Sequence, residues 1–239
     1  MDSEINYSTE WLNNEIQGRW KILENLSWIK SSFGIKSKFV IELGSGIGTN
    51  LKLFNIDNRV LGIEGMRSAV EESINSGIPT IQQNLELQFE LDGEKADCIL
   101  CMDVLEHLVQ PNVCLQIAHK LLKDGGILVV NIPNHFDWRG RLRILFGSGI
   151  DSQKYFPDSK HWEYPHLRFF QNESIKEILN HSGFEVHNDL SPQMATLPRQ
   201  KYWKALNIEW IGRYLAKKWP NLFSAGFFLV CKKSLKKIN

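Results

Sequence analysis

The sequence predicts an α/β protein with a mostly parallel, seven-stranded sheet, helices on both faces and an antiparallel C-terminal strand. Apolar segments of strand length alternate with segments of helical periodicity, and short connections separate them. A glycine-rich turn, Gly44–Gly48, follows the first apolar segment. Such a turn between a strand and a helix is typical of a ligand-binding sheet edge, so the predicted fold is Rossmann-like.

The elements follow from periodicity and from turn residues, taken in chain order. Apolar residues at helical spacing predict an N-terminal helix over residues 10–33. Strands are predicted at Phe39–Leu43, Arg59–Glu64, Thr80–Gln83, Ala96–Met102, Ile127–Ile132, Phe184–Asp189 and Ser224–Lys232. Helices are predicted from near Gly48 and over Ser68–Ser76, Asn112–Leu122, Ser174–Ser182 and Gln200–Trp219.

These elements predict a core with additions at both ends. We expect a helical cap over residues 1–36, the ligand-binding α/β core over 37–190, a helical insertion over 191–222, and a last strand with a basic tail over 223–239. The insertion is interpreted as a lid or as a contact with a membrane or substrate.

Composition favours a cytoplasmic globular protein. The chain has 239 residues, 43% of them apolar and 23% charged, and its N-terminus is too polar for a secretory signal. Cys98 and Cys101 fall in one strand and point to opposite faces, so the four cysteines predict buried thiols and no metal site. The segment after position 198 contains ten basic residues and only one acidic residue. This positive charge suggests an anionic partner or a solvated face.

Acidic side chains mark the same edge of the predicted sheet as the glycine turn. Glu42 lies within the first strand and Glu64 closes the second, while Asp103, Glu106 and His107 follow the fourth. Ligands of open α/β sheets lie across the carboxyl ends of the strands, where an acid can hold ribose hydroxyls. The turn lacks the third glycine of a dinucleotide fingerprint and the lysine of a P-loop, so alone it does not identify the ligand.

Taken together, these motifs resemble the class I S-adenosylmethionine-dependent methyltransferases. The resemblance rests on VIELGSGIG, VLGIEG, DCILCMDVLEHL, LLKDGGILVVNIPN and HLRFFQNESIKEILNHSGFEV, in that order, over about residues 39–185. The nearest subgroup is similar to the small bacterial methyltransferases of surface-polysaccharide clusters and to the MetW type of methionine biosynthesis. The implied cofactor is S-adenosyl-L-methionine, with S-adenosyl-L-homocysteine as its product.

The resemblance also implies roles for individual residues. The turn would meet the methionine portion, Glu42 its amino group, and Glu64 the ribose; Asn84 stands where the family usually has an Asp against the adenine amine. The implied cofactor-binding residues are Glu42, Gly44, Ser45, Gly46, Glu64, Gly65, Met66, Asn84, Leu85, Met102 and Asp103. Structural alternatives remain: a paired buried carboxylate for Glu42, a helix N-cap neighbour for Glu64, and helix N-terminal charges for Asp103 and Glu106.

An alcohol acceptor needs a general base, and histidine is suited to that role near neutral pH. We place His166 first, just before a predicted helix, with His107 and Asp103 as the other catalytic candidates and His135 as a further histidine. His166 and His107 also have structural alternatives, as a helix cap and as a hydrogen-bonding residue.

Two basic, apolar stretches suggest what the acceptor carries. Trp138–Phe146 holds three arginines, and Gln200–Trp219 places aromatic side chains among lysines at helical spacing. Such a helix lies on an anionic membrane, covers an anionic substrate, or packs its aromatic stripe on the domain.

The leading functional hypothesis is O-methylation of a sugar or related anionic small-molecule precursor of surface polysaccharide. One alternative is methylation of a quinone-type lipid precursor at the membrane, and another is a non-catalytic cofactor-binding partner of the MetW type. Nucleic acid is not an expected partner because MDVLEH follows strand four instead of an Asn/Asp-Pro-Pro-aromatic signature. The oligomeric state and the methylated atom stay open.

Overall fold

A computed structural model describes residues 20–91, 93–148, 166–198, 203 and 206–234. Seven strands form one sheet in the order β3-β2-β1-β4-β5-β7-β6. Their bounds are β1 Phe39–Leu43, β2 Arg59–Glu64, β3 Thr80–Gln82, β4 Ala96–Met102, β5 Leu122–Pro133, β6 Phe184–Asp189 and β7 Gly226–Lys233.

The pairing confirms the predicted fold class. β3, β2, β1, β4 and β5 pair in parallel, and β7 pairs antiparallel with both β5 and β6. Strand order reverses between β1 and β4, and open α/β sheets bind ligands at the carboxyl ends of the strands beside such a reversal.

Helices and short helical turns connect the strands. The helices are α1 Trp20–Ser32, α2 Leu51–Phe54, α3 Arg67–Asn75, α4 Pro111–Leu121, α5 Trp138–Leu145, α6 Asn172–His181, α7 Glu209–Lys218 and α8 Pro220–Phe223. Two 3₁₀ turns span Leu105–His107 and Ser191–Met194.

The core has one apolar layer on each face of the sheet, because strand side chains alternate between faces. On β4, Cys98 and Leu100 pack in the layer that holds Leu26 of α1. Ile99 and Cys101 pack in the other layer, which holds residues of α4 and α6. The predicted opposite orientation of the two β4 cysteines is confirmed, and Cys98, Cys101, Cys114 and Cys231 are buried free thiols.

Several element boundaries differ from the sequence predictions. The helix expected near Gly48 is the single turn α2, which begins only at Leu51. The helix expected over 200–219 is not continuous: Leu206 and Asn207 form a turn, and Asn207 has a left-handed φ of 54°. The first ten residues of the predicted N-terminal helix lie outside the described residues. No helix in the described part of the chain is long and apolar enough to cross a bilayer.

Candidate active site

The glycine turn packs closely against β2 and against the loop after β4. Gly44 has a φ of +69°, and its amide donates to the carbonyl of Ile63 at 2.8 Å. A β-carbon at Gly44 would stand 2.3 Å from Cγ2 of Val104, which lies just beyond β4. Gly44 is therefore required both by its left-handed conformation and by the approach of Val104.

Gly46 differs because it borders open space. Its φ is +52°, and nothing lies within 4 Å of a β-carbon built there. Its amide donates to Oε2 of Glu64 at 2.8 Å, and Oε1 of Glu64 accepts from the amide of Met66 at 2.9 Å. Glu64 thus ties the glycine turn to the loop after β2 at the carboxyl edge of the sheet.

Glu42 is buried in β1 with 1% of its surface exposed. Its Oε1 accepts a hydrogen bond from Nδ2 of Asn50 at 2.6 Å. Asn50 stands directly before α2, so the carboxylate links the strand to the residue that follows the glycine turn. This hydrogen bond is the kind of buried pairing that the structural alternative for Glu42 predicts.

Asp103 directly follows β4 and has a backbone conformation that is unusual for a residue with a side chain. Its φ is 55°, in the left-handed region, and its amide donates to the carbonyl of Asn131 at 2.9 Å. Nδ2 of Asn131 donates to Oδ1 of Asp103 at 2.6 Å. Backbone strain of this kind is concentrated at functional sites, where the surrounding contacts enforce it.

The remaining predicted cofactor residues divide between exposed and core positions. Gly65 and Asn84 are exposed, and Oδ1 of Asn84 accepts from the amide of Glu86 at 2.9 Å. Leu85 and Met102 are 6% and 2% exposed, and their side chains belong to the two core layers. Buried Ser45 and partly exposed Met66 flank the Gly46–Glu64 contact.

Three histidines from distant parts of the chain meet at the same edge of the sheet. Nδ1 of His166 and Nε2 of His135 are 2.7 Å apart, with one ring donating to the other. The ring of His107 stands edge-on to His166 at 4.6 Å between centroids. The histidine cluster, defined as His107, His135 and His166, lies beyond the ends of β4 and β5 and before α6.

Backbone contacts hold this cluster together. The carbonyl of Glu106 accepts from the amides of Leu167 at 2.8 Å and Arg168 at 3.0 Å, which joins the Leu105–His107 turn to the segment after His166. Glu106 is fully buried, and His135 and His166 are 8% and 7% exposed. Burial, together with neighbouring His107 and His135, lowers the pKa of His166 to about 2, so its imidazole is neutral near pH 7.

A family model described as a methyltransferase domain matches residues 21–188, which include the glycine turn, Glu64 and Asp103. The chain belongs to this methyltransferase-domain family. The match confirms the predicted class of protein, the S-adenosylmethionine-dependent methyltransferases, and S-adenosylmethionine as the cofactor of that class. The open space beside Gly46 and the Glu64 carboxylate suit a cofactor that approaches the main chain and carries ribose hydroxyls.

Curated relatives of this methyltransferase domain include ubiquinone biosynthesis O-methyltransferases. The protein of Vibrio atlanticus is 24% identical over 184 residues, which covers 72% of this chain and 76% of that protein. The protein of Paraburkholderia phytofirmans is 25% identical over 113 residues, covering 42% of this chain and 47% of that protein. In the latter match the chain spans about half the length of its relative.

Solved structures share the fold of this methyltransferase domain at low sequence identity. Magnesium protoporphyrin IX methyltransferase of Synechocystis, with bound S-adenosylhomocysteine, is 15% identical with a TM-score of 0.61, covering 98% of this chain and 90% of that one. A methyltransferase of Clostridium acetobutylicum is 12% identical with a TM-score of 0.61, covering 91% and 92%.

The contacts among the residues of this edge carry no clear signal in the sequence. The pairing of Glu64 with Gly46, of Asn131 with Asp103, and of His135 with His166 was not predicted. The available signal was position alone, because each of these residues lies at or just beyond a strand end or before a helix.

Proposed function

We propose that this chain transfers the methyl group of S-adenosylmethionine to a hydroxyl of an aromatic, quinone-type precursor. The observation that carries the proposal is one continuous edge of the sheet. At one end of that edge, Gly46 borders open space beside the Glu64 carboxylate; at the other, strained Asp103 adjoins the histidine cluster through the turn Leu105–His107.

On this proposal the β1–β2 side of the edge binds the cofactor. Each oxygen of Glu64 accepts one backbone hydrogen bond and has lone-pair capacity left for the ribose hydroxyls. Gly46 lets the methionine portion approach the main chain, and Asn84 keeps an exposed amide for the adenine edge. Glu42 and Asp103 would meet the amino group and the region of the reacting methyl.

The β4–β5 side of the edge binds the acceptor in this proposal. Methyl transfer is an in-line displacement in which the acceptor oxygen forms the new bond to carbon as the sulfur–carbon bond breaks. Alignment of the two reactants is worth about 7–11 kcal/mol at the best geometry. The hydroxyl proton must also leave, and we place its loss at the histidine cluster; burial lowers the pKa of His166, so that ring alone is a weak base.

An aromatic acceptor suits the exposed rings around the cluster. Phe169 is 40% exposed and stands edge-on to His135 at 5.1 Å and next to Phe136 at 5.9 Å. Aromatic pairs prefer edge-on and offset contacts, so a planar acceptor can pack against these rings. The relatives named above are ubiquinone biosynthesis enzymes, which favours the quinone-type acceptor over the sugar acceptor that led the sequence hypotheses.

The test of this function measures cofactor binding and turnover separately. Calorimetry with S-adenosylhomocysteine reports cofactor binding, and mass spectrometry follows methylation of a catechol or a hydroxylated benzoate in the presence of S-adenosylmethionine. We expect binding and formation of a methyl ether. A protein that binds the cofactor but methylates neither acceptor would instead support the non-catalytic partner alternative.

We also propose that α7 brings this enzyme to an anionic membrane that holds an apolar acceptor. Gly212 and Ala216 are buried against the domain, while Trp210 and Tyr214 are each 58% exposed on the outer side of the helix. Arg213, Lys217 and Lys218 are exposed beside them. Aromatic side chains that face outward among cations are typical of a helix at a membrane surface. Their exposure argues against the alternative in which these aromatic side chains pack on the domain.

Vesicle flotation tests this surface. The wild type should float with phosphatidylglycerol vesicles, and a variant with Trp210→Ser and Tyr214→Ser should stay in the dense fraction. Trp28→Ser, which removes an exposed tryptophan of α1, is the matched control and should float like the wild type. Equal flotation of all three proteins would overturn the assignment.

A further inference from the structure

The Leu105–His107 turn and the segment before α6 bring together three side chains that are suited to hold a cation. One ligand atom from each of Glu106, His107 and His166 lies within 4.8 Å of those of the other two. Tetrahedral zinc sites bind imidazole nitrogen and carboxylate oxygen at about 2.0–2.2 Å, which sets neighbouring ligand atoms a little over 3 Å apart. The 4.8 Å limit is wider than this spacing, so a bound cation would draw the three atoms together.

We propose that Glu106, His107 and His166 form a binding site for a divalent transition-metal cation such as Zn²⁺ or Co²⁺. Two imidazoles and one carboxylate favour this class over Mg²⁺, which prefers an all-oxygen ligand set. Three protein ligands leave at least one coordination position for a substrate atom.

His135 completes this site as a positioning residue. Nδ1 of His166 faces Nε2 of His135 at 2.7 Å, so the tautomer in which His166 donates leaves its Nε2 lone pair for the cation. A hydrogen bond to the second ring nitrogen commonly orients a metal-binding histidine. The backbone of His135 packs closely on Gly140 in α5, where a β-carbon would stand 2.0 Å from the His135 carbonyl oxygen.

The role of the cation rests on the proposed methyltransferase function. A hydroxyl oxygen of the acceptor would occupy the open position, where a divalent cation lowers the pKa of the hydroxyl as it does that of bound water. The hydroxyl proton passes to solvent, the oxygen forms its bond to the methyl carbon, and the sulfur–carbon bond electrons return to sulfur. The products are the methyl ether, S-adenosylhomocysteine and one proton.

Cobalt titration tests the site without reference to activity. Full-length protein treated with chelator and dialysed should bind about one equivalent of Co²⁺ with visible absorption bands typical of low-coordinate cobalt, and Zn²⁺ should displace it. His107→Gln and His166→Gln should each weaken Co²⁺ binding at least 100-fold. His135→Gln should weaken it about 10–100-fold, the range found for residues that orient metal ligands.

The controls separate this proposal from folding and from cofactor binding. His181→Gln changes an exposed histidine at the end of α6 and should bind Co²⁺ like the wild type. Calorimetry with S-adenosylhomocysteine on each variant checks the fold and the cofactor site, and unchanged affinity there with lost Co²⁺ binding supports the proposal. No stoichiometric Co²⁺ binding by a wild type that binds S-adenosylhomocysteine would overturn it, as would equal Co²⁺ binding in His107→Gln, His166→Gln and the wild type.

Discussion

Two glycines of the turn should respond differently to the same substitution. Gly44→Ala and Gly46→Ala both place a β-carbon at a left-handed φ, which costs roughly 1–2 kcal/mol. At Gly44 the new atom also meets Cγ2 of Val104 at 2.3 Å, and overpacking of this kind costs about 1–3 kcal/mol more. We therefore expect Gly44→Ala to lose about 2–5 kcal/mol of unfolding free energy, but Gly46→Ala only about 1–2.

Among the molecules that stay folded, cofactor binding should instead be affected more by Gly46→Ala than by Gly44→Ala. A β-carbon at Gly46 projects into the open space that the proposed cofactor occupies, so Gly46→Ala should weaken S-adenosylhomocysteine binding at least tenfold, about 1.4 kcal/mol. Gly34→Ala provides the matched control, because Gly34 has a φ of +59° with nothing within 4 Å of its β-carbon and lies before β1.

Urea unfolding and calorimetry on the three variants decide the matter. Gly34→Ala should reproduce the stability loss of Gly46→Ala while binding the cofactor like the wild type. If Gly44→Ala lowers the free energy of unfolding no more than Gly34→Ala does, the close approach of Val104 does not add to the cost of a side chain at Gly44. If Gly46→Ala binds S-adenosylhomocysteine within twofold of the wild type, the cofactor does not lie beside Gly46.

Three further predictions concern single side chains. Glu64→Gln should weaken S-adenosylhomocysteine binding about 10–100-fold by calorimetry, since hydrogen bonds to a charged group contribute about 1.5–3 kcal/mol; Glu71→Gln on α3 should not. Asp103→Ala should lower the unfolding free energy by about 1–2 kcal/mol more than Asp103→Asn, because Asn tolerates a left-handed φ and keeps an acceptor for Asn131. Burial, with nearby Lys233, lowers the pKa of His119 below its usual 6.5. As the pH drops through about 6.5, the unfolded chain takes up a proton at His119 before the folded chain does, so the free energy of unfolding falls. His119→Gln should reduce that fall, as measured by urea unfolding.

The strands of this fold were predictable because each carries its own local signal. β1, β2, β4 and β6 have the predicted bounds, since a run of apolar residues that ends in an acid or a turn marks both strand limits. The break before α7 was not predictable from periodicity: Asn207 adopts a left-handed φ that Asn tolerates, and the helical spacing of Trp203, Leu206 and Trp210 continues across it.

The candidate site likewise has one part that could be predicted from the sequence and one part that could not. Glu64 and the glycine turn lie within one β-α-β unit, so their position at the same edge of the sheet could be predicted from spacing along the chain. His107, His135 and His166 meet only because β4 and β5 are adjacent in the sheet and the segment before α6 returns to their ends. Single-sequence spacing carries no information about that return, and so the histidines could be named from the sequence but not assembled.

This division has a functional consequence for the edge of the sheet. The proposed cofactor side depends on backbone geometry and one carboxylate, which tolerate few substitutions because Gly44 and Gly46 have left-handed φ values and Gly44 also packs on Val104. The proposed acceptor side depends on side chains such as His166 and Phe169, which belong to the segment between β5 and α6 and not to the sheet. If the two sides have these proposed roles, a change of acceptor requires changes in the connecting segments, while the turn that binds the methyl donor stays the same.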